Sequence, residues 1–476
     1  MTTPFYDIVV IGAGPAGISA ATTAADLGMK VLLLDEQGQA GGQIYRNVAK
    51  AGPAVVDILG SAYSHGRALT SRLAASNVEC RFGALVWDVD PELAIAVQQG
   101  GRSAMVRAGH LIVATGAMER ASPMPGWTLP GVMNAGAAQI ALKSSAAVPT
   151  GKVVLAGGGP LLLLVASQLL SAGAEVAGLV ETSPAGNRWD AARHLPAALK
   201  AWGYLAKGAS MVRHLRSARV PWFKEATELR IEGVERARAL AFTSKGQKHT
   251  LDADLVLVHH GVVPNTQLSR MLRLEHDWNS VQLAWHVRTD AWGKASRFGV
   301  SVAGDGVAIA GALAAEHAGA IAALGAAQTL GFVSEAERDR RACPHQKALA
   351  RELPVRPMLD TLYRPPAWLQ QPADDTVVCR CEEVSAGRIR EMAQLGCHGP
   401  NQTKFMSRCG MGPCQGRVCG LAVTQILADA LGKPPQEVGA YRIRTPLKPI
   451  PLASLANIAA AESATTLQSR TQEERR

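Results

Sequence analysis

Five of the eight cysteines of this 476-residue chain fall in two short stretches, VVCRCEE at 377 to 383 and RCGMGPCQGRVCG at 408 to 420. Thiolates gathered in that number bind a soft metal. The two candidates are zinc, closed by four cysteines in a structural site, and iron in an iron-sulfur cluster. Side chains two apart on an extended segment face the same way, so Cys379 and Cys381 are expected to reach one common ion. Cys414 and Cys419 follow in the C-x4-C of CQGRVC, behind a loop shaped by Gly410, Gly412 and Pro413 that can turn backbone amides toward sulfur. Cys409 stands five positions before Cys414 and is eligible on spacing; Cys397 is a weaker candidate. Four thiolates around an oxidised 2Fe-2S unit leave a charge of about minus two, and Arg380, Lys404, Arg408 and Arg417 lie close in sequence to offset it. Cys80 and Cys343 have no cysteine near them and read as inert thiols.

A second constellation opens the chain. YDIVVIG reads as a buried parallel strand, GAGPAG as a turn and ISAATTAADLG as the helix after it. Gly12 suits the tight turn, Gly14 the close approach of a pyrophosphate and Gly17 the packing of helix on strand, while the helix N-terminus offers positive charge to a phosphate. The next strand, MKVLLLDE, ends on Asp35, placed to accept both hydroxyls of an adenosine ribose, with Glu36 in reserve. Such a turn is weak evidence alone. Here it is followed by GGQ, with Gly42 and Gln43, then by HLIVATGA, with Thr115 and Gly116, and by GVSVAGDG, with Gly304 and Asp305, before a long helix. With these motifs the chain resembles the two-dinucleotide-domain flavoproteins related to thioredoxin reductase and glutathione reductase. The resemblance implies an α/β fold with FAD on the residues just named, Gly304 and Asp305 lying under the ribityl chain and the following helix aimed at the flavin pyrimidine.

An insert, KVVLAGGGPLLLLVASQLLSAGAEVAGLVE onward, repeats the opening with Gly157 and Gly159, but Leu162 takes the third glycine position. In that family this is the NAD domain. A leucine there pushes the helix from its strand and disfavours NAD(P)H, although Glu181 stands where an acid could hold a ribose. The uncharged run 153 to 174 is read as strand, turn and buried helix, because Gly157 to Pro160 would interrupt a membrane span. DLVLVHHGVVPN, with Pro264 and Asn265, resembles the family's return to the flavin domain; His259 and His260 end a buried strand and read as structural.

The chain has no CxxC, which the disulfide reductases of this family use, so electrons must leave a flavin by another route and iron is favoured over zinc. CxC followed by GMGPCQGRxC is similar to the ferredoxin-like BFD domain, whose matching cysteines, Cys379, Cys381, Cys414 and Cys419, hold a 2Fe-2S cluster. Cys409 falls outside that set. The order of parts, closing on RIRTPLKPIP, resembles the A-type (α) subunit of heteromeric amino-acid dehydrogenases: opine oxidases, D-hydroxyproline dehydrogenases, dye-linked L-proline dehydrogenases and hydrogen cyanide synthases. That resemblance implies an amino-acid-oxidase-like β subunit carrying substrate oxidation, a small iron-sulfur γ subunit, a respiratory-chain acceptor and room for FMN at a subunit interface. The catalytic residues for substrate are unknown. A self-contained NAD(P)H-dependent reductase and a non-catalytic scaffold are the rival readings.

The expected division is a FAD-binding domain at 1–150 and 291–335, the insert at 151–290, a linker at 336–373, the BFD-like domain at 374–435 and an extended tail at 436–476. Hydrophobic content of 47% with 18% charge describes a globular chain. The net charge of +10 is scattered and aromatics make up 5%, which argues against nucleic acid and suits an acidic partner or a membrane face. The start lacks a basic region before its apolar run, so a cytoplasmic location is expected, with peripheral attachment to the inner membrane face through the complex. Residues 442 to 451 read as a stiff cationic segment that lies either on a partner or on its own flavin domain.

Overall fold

A computed structural model describes residues 3–458. The β-branched run of the first strand, Phe5–Ile11, is buried on both faces, as a parallel strand under helices must be. It pairs in parallel with Val31–Asp35 on one side and with Arg102–Val113 on the other. Arg102–Val113 is twelve residues long and changes partner midway: its first half pairs antiparallel with Ala94–Gln99, and Leu111 to Val113 pair in parallel with Val300–Val302. The helices Pro15–Ala25 and Ala312–Thr329 pack on each other so tightly that a Cβ on Gly319 would stand 2.0 Å from the Ala16 carbonyl oxygen.

The insert carries its own five-stranded parallel sheet, in the order Trp222–Phe223, Glu175–Glu181, Lys152–Gly158, Leu255–His260 and Val132–Asn134. A three-stranded antiparallel sheet follows residue 226. Two pairings move its expected boundaries. Val132–Asn134 already belongs to the insert's sheet, and Val262–Pro264 pairs with Ala117–Glu119 as a two-stranded crossing, so the chain leaves near 120 and is back by 262 rather than 151 and 290. A three-residue edge strand is too short to show an alternation in sequence. The uncharged run 153 to 174 is strand, glycine turn and the helix Pro160–Ser171, as expected. Among the described residues no helix is long and apolar enough to cross a membrane.

Residues 336–373 are not an open linker. Glu335–Glu352 is a helix, with Ser334 capping it through the Glu337 N–H, and Arg356–Leu362 is another. Glu337 pairs with Arg340 and Arg341, and Arg338 lies 4.0 Å over the Trp292 ring. Those charge pairs stabilise a helix whose Pro and Arg content reads as loop. The small domain after it has a strand pair, Val377–Cys379 with Val384–Ser385, and helices Ala386–Gln394, Pro400–Ser407 and Gly420–Leu431. Residues 442 to 451 pack on their own flavin domain: the Leu447 N–H donates to the Trp87 carbonyl at 2.8 Å and the Thr445 hydroxyl to Asp88 at 2.5 Å. The expected tail beyond 458 lies outside the described residues.

Arg120 joins the halves. Its side chain is buried and donates to the carbonyls of His260, Leu283 and Gln282, at the point where the chain passes in and out of the insert. Arg120→Leu strands three acceptors, two buried and one half-buried, each costing about 1–3 kcal/mol when unpaired. A loss of at least about 3 kcal/mol in urea unfolding is expected; a loss under about 1 kcal/mol would remove Arg120 from this role.

Candidate functional site

The first glycine turn is built by contact. Gly12 has φ +108°, and a Cβ there would stand 2.3 Å from the Ala114 carbonyl oxygen; one on Gly17 would stand 1.7 Å from the Gly12 oxygen. Gly14 differs, because its φ is −79° and a Cβ would meet nothing nearer than the Gly42 Cα at 3.8 Å. Nothing among the described residues demands glycine there, whereas a pyrophosphate lying against the turn would. Gly42, at φ +60°, closes the same face, a Cβ on it coming within 2.7 Å of the Gly14 Cα.

Asp35 does not present a free carboxylate. One oxygen accepts from the Ala13 N–H at 2.5 Å and the other from Gln37 N–H at 2.7 Å, so the acid shapes the turn. Burial pushes its pKa up, against those two bonds. Glu36 is exposed beside it and pairs with Lys448. Asp305 behaves as Asp35 does: one oxygen accepts from the N–H groups of Ala310 and Gly311 at 2.9 and 3.0 Å, ahead of the helix Ala312–Thr329. Thr115 donates to the Asn265 carbonyl at 3.4 Å, and Gly116 accepts from the Asn265 N–H at 2.9 Å. The Gln43 side chain accepts from Arg46 at 2.9 Å, and its carbonyl from the buried Lys143 ammonium at 3.2 Å. Burial, then Arg46, lowers the Lys143 pKa to about 7.

The second glycine turn borders a cavity of about 310 Å³ lined by Gly159, Leu162, Glu181, Trp222 and Tyr363. Leu162 is buried in the insert's core, and Glu181 accepts from the Trp222 indole at 3.0 Å. The two histidines are structural in geometry: His259 bonds Glu119 at 2.6 Å, and His260 bonds Ser122 at 2.8 Å. Burial, first of all, then His259 and Arg120, lowers the His260 pKa to about 3.

The five cysteines converge, although not in the expected way. The sulfurs of Cys379, Cys409 and Cys419 all lie within 4.8 Å of one another, and all three residues are buried. Hydrogen bonds from the thiols of Cys409 and then Cys419 lower the pKa of Cys379. Cys409, left outside the ligand set by resemblance, therefore shares its pocket. Cys381 is exposed and lies against Cys414 instead. The strand ends at Cys379 and the chain turns through 380 to 383, so the alternation of an extended segment does not reach Cys381. Gly412 gives Cys381 its place, since a Cβ there would be 2.1 Å from the Cys381 Cβ. Five soft sulfur donors suit thiophilic iron or zinc. Cys397, buried elsewhere in the domain, is not among the three buried sulfurs.

The family profile of pyridine nucleotide-disulphide oxidoreductases matches residues 6–320, and that of the sarcosine oxidase A3 domain matches residues 374–460. The opine oxidase A subunit of Rhizobium meliloti is 42% identical over 95% of this chain and 88% of its own length. That of Agrobacterium tumefaciens (strain Ach5) is 41% identical over 95% and 92%. The chain belongs to the family of opine oxidase A subunits. Hydrogen cyanide synthase subunit HcnB of Pseudomonas aeruginosa is a further relative, 32% identical over 94% of this chain and 98% of that one. In fold, L-proline dehydrogenase from P. horikoshii superposes with a TM-score of 0.71 at 19% identity, covering 96% of this chain and 80% of that one.

In this opine oxidase A-type chain, the residue that sequence reasoning missed is Tyr441. Its ring fills the space above Gly410, Gly416 and Gly420, where a Cβ would stand 2.6, 2.6 and 3.1 Å from ring atoms, and its hydroxyl donates to the Cys409 carbonyl at 2.8 Å. The spacing of those glycines was the available signal. It says that something bulky lies on the loop without saying what. Tyr441→Ala should cost about 3–5 kcal/mol, as for other buried aromatics, and Tyr441→Phe only about 1 kcal/mol for the single hydrogen bond. Urea midpoints of both variants check this; equal losses would show that the ring's packing is not what matters.

Proposed function

We propose that this chain is the flavin and iron-sulfur subunit of a heteromeric dehydrogenase that oxidises the C–N bond of an amino acid, imino acid or opine on a partner β subunit. The observation that carries it is the presence in one chain of an open glycine cradle and a cysteine-rich domain in which three buried sulfurs meet and Cys381 lies against Cys414, with no CxxC to make it a disulfide reductase. FAD bound at the cradle would take electrons in pairs, and a 2Fe-2S cluster in the sulfur pocket would pass them on singly.

The chain's own groups prepare both places. Gly12, Gly17 and Gly42 let the turn close on itself, Gly14 leaves its face open to a pyrophosphate, and the N-terminus of Pro15–Ala25 faces it with free N–H groups. Both Asp35 oxygens hold backbone, which leaves Glu36 as the acid for the adenosine ribose, within reach of Lys448, while Asp305 holds backbone with one oxygen and keeps the other for the cofactor. Thr115, Gly116 and Gln43 border the flavin end, where Lys143 is hydrogen-bonded to Gln43. For the cluster, Cys379 with Cys419 and Cys381 with Cys414 make two pairs suited to two irons. The close trio favours a second assignment in which Cys409 replaces one outer cysteine. Single Cys→Ser variants separate these: iron and sulfide should be lost on changing Cys379, Cys381, Cys414 or Cys419 and kept in Cys409→Ser. Loss in Cys409→Ser with retention in Cys381→Ser or Cys414→Ser would establish the second assignment, and zinc in place of iron would end both.

Partner contact is supported by apolar side chains left in solvent. Trp189, Leu199 and Trp202 of the insert are 83%, 57% and 69% exposed, and Phe405 of the cysteine-rich domain is 78% exposed. A β subunit, a γ subunit, a respiratory acceptor and a place on the inner membrane face belong to the same proposal. NAD(P) finds less support, because Trp222 already occupies Glu181 and Leu162 fills the third glycine position. The isolated chain should reduce an artificial dye with no opine, proline, hydroxyproline or glycine, and activity should appear on co-expression with the β subunit. Turnover by the isolated chain at the rate of the complex would move substrate oxidation onto it. Rapid anaerobic bleaching of the flavin by NADH would restore the self-contained reductase.

A further inference from the structure

A crevice of about 70 Å³ separates the flavin domain from the cysteine-rich domain, with Gln267, Arg270 and Trp285 on one wall and Arg417 and Tyr441 on the other. A single water needs roughly 10–15 Å³, so the space holds more than one. Four buried polar atoms of its lining have no partner among the described residues: Gln267 Oε1, Arg270 Nη2, Trp285 Nε1 and Arg417 Nε. Three are donors, and buried donors are seldom left unpaired.

Charge narrows the occupant. Arg270 donates from Nε to the Thr266 hydroxyl at 3.3 Å and lies 4.9 Å over the Trp285 ring. Burial lowers its pKa to about 10, which leaves it charged at neutral pH. Among the described residues neither Arg270 nor Arg417 has a carboxylate at ion-pair distance. Arg273, Arg442 and Arg444 crowd one another nearby and add to the positive field. Water could bridge the donors but could not neutralise the buried Arg270 guanidinium. Guanidinium prefers oxyanions, which it binds by paired N–H bonds. The remaining group is the Gln267 side-chain amide, and a hydrogen phosphate, which both donates and accepts, meets either of its ends where a carboxylate only accepts.

We infer that this crevice binds a phosphate group, free or as a monoester, between Arg270 of the flavin domain and Arg417 of the cysteine-rich domain. The phosphate thereby bridges two domains of one chain beside the loop that carries Cys414 and Cys419. Such a site stands whatever reaction the complex performs.

Calorimetric titration of the cofactor-loaded protein with inorganic phosphate, glycerol 1-phosphate and acetate, at constant ionic strength, tests it. One saturable phosphate site per chain is expected, weakened at least about tenfold in Arg270→Gln and in Arg417→Gln, as befits loss of a charged hydrogen-bond partner. Gln267→Leu, which keeps both charges, should weaken it several-fold and serves if an arginine variant fails to fold; circular dichroism and visible absorbance report folding. Arg188→Gln, on the insert's separate cavity, should leave it unchanged. Tighter binding of the inorganic ion supports free phosphate, and tighter binding of the ester supports a monoester. Absence of saturable binding, acetate bound as tightly as phosphate, unchanged affinity in Gln267→Leu and the arginine variants, or loss in Arg188→Gln would each overturn the assignment.

Discussion

The Tyr441 ring lies where Gly410, Gly416 and Gly420 have no side chains, and its hydroxyl holds the Cys409 carbonyl. A sulfur pocket needs backbone close by and water kept away, because charge shielded from water interacts more strongly with its neighbours. Glycines give the first condition and the tyrosine restores the second. The ring is 4% exposed, with Lys404 5.6 Å over it. From this anchor the chain runs on across the flavin domain, through Thr445 on Asp88 and Leu447 on Trp87, to Lys448 on Glu36. One short segment therefore touches the sulfur pocket at one end and the nucleotide cradle at the other.

Acids in the flavin half divide the labour similarly. Asp35 and Asp305 accept, among the described residues, from backbone N–H groups and so fix the shape of the two loops that flank the cradle. Glu36, one residue along, keeps its carboxylate at the surface. A loop held by a buried carboxylate can present its remaining N–H groups to an anion in fixed geometry, which is how a cradle is preorganised without a ligand-binding side chain.

Much of this was legible in the sequence. The strand, turn and helix at the N-terminus, the repeat of that unit at Gly157 and the gathering of Cys379, Cys381, Cys414 and Cys419 in one domain follow from spacing and periodicity that fold locally. The rest depends on tertiary contact. Asp35 ends the right strand, but only the turn opposite it decides whether its oxygens face a ribose or Ala13. Cys409 was separable from its neighbours only by resemblance, since its position beside Cys379 and Cys419 arises from the Tyr441 contact far along the chain. Glu335–Glu352 hid behind its charge, because a helix stabilised by ion pairs and laid on Ala312–Thr329 shows little apolar periodicity.

The long strand Arg102–Val113 has a consequence in time. Its last three residues wait for Val300–Val302, which leaves the ribosome only after the whole insert has been made. Until then the flavin sheet has an open edge, the arrangement most prone to pairing with a foreign strand. The insert, by contrast, completes its parallel sheet from residues 132 to 260 without help from any later strand. A nascent chain therefore carries a finished inner domain inside an unfinished outer one, and the step that closes the edge also brings in Gly304, Asp305 and the helix that faces the cradle.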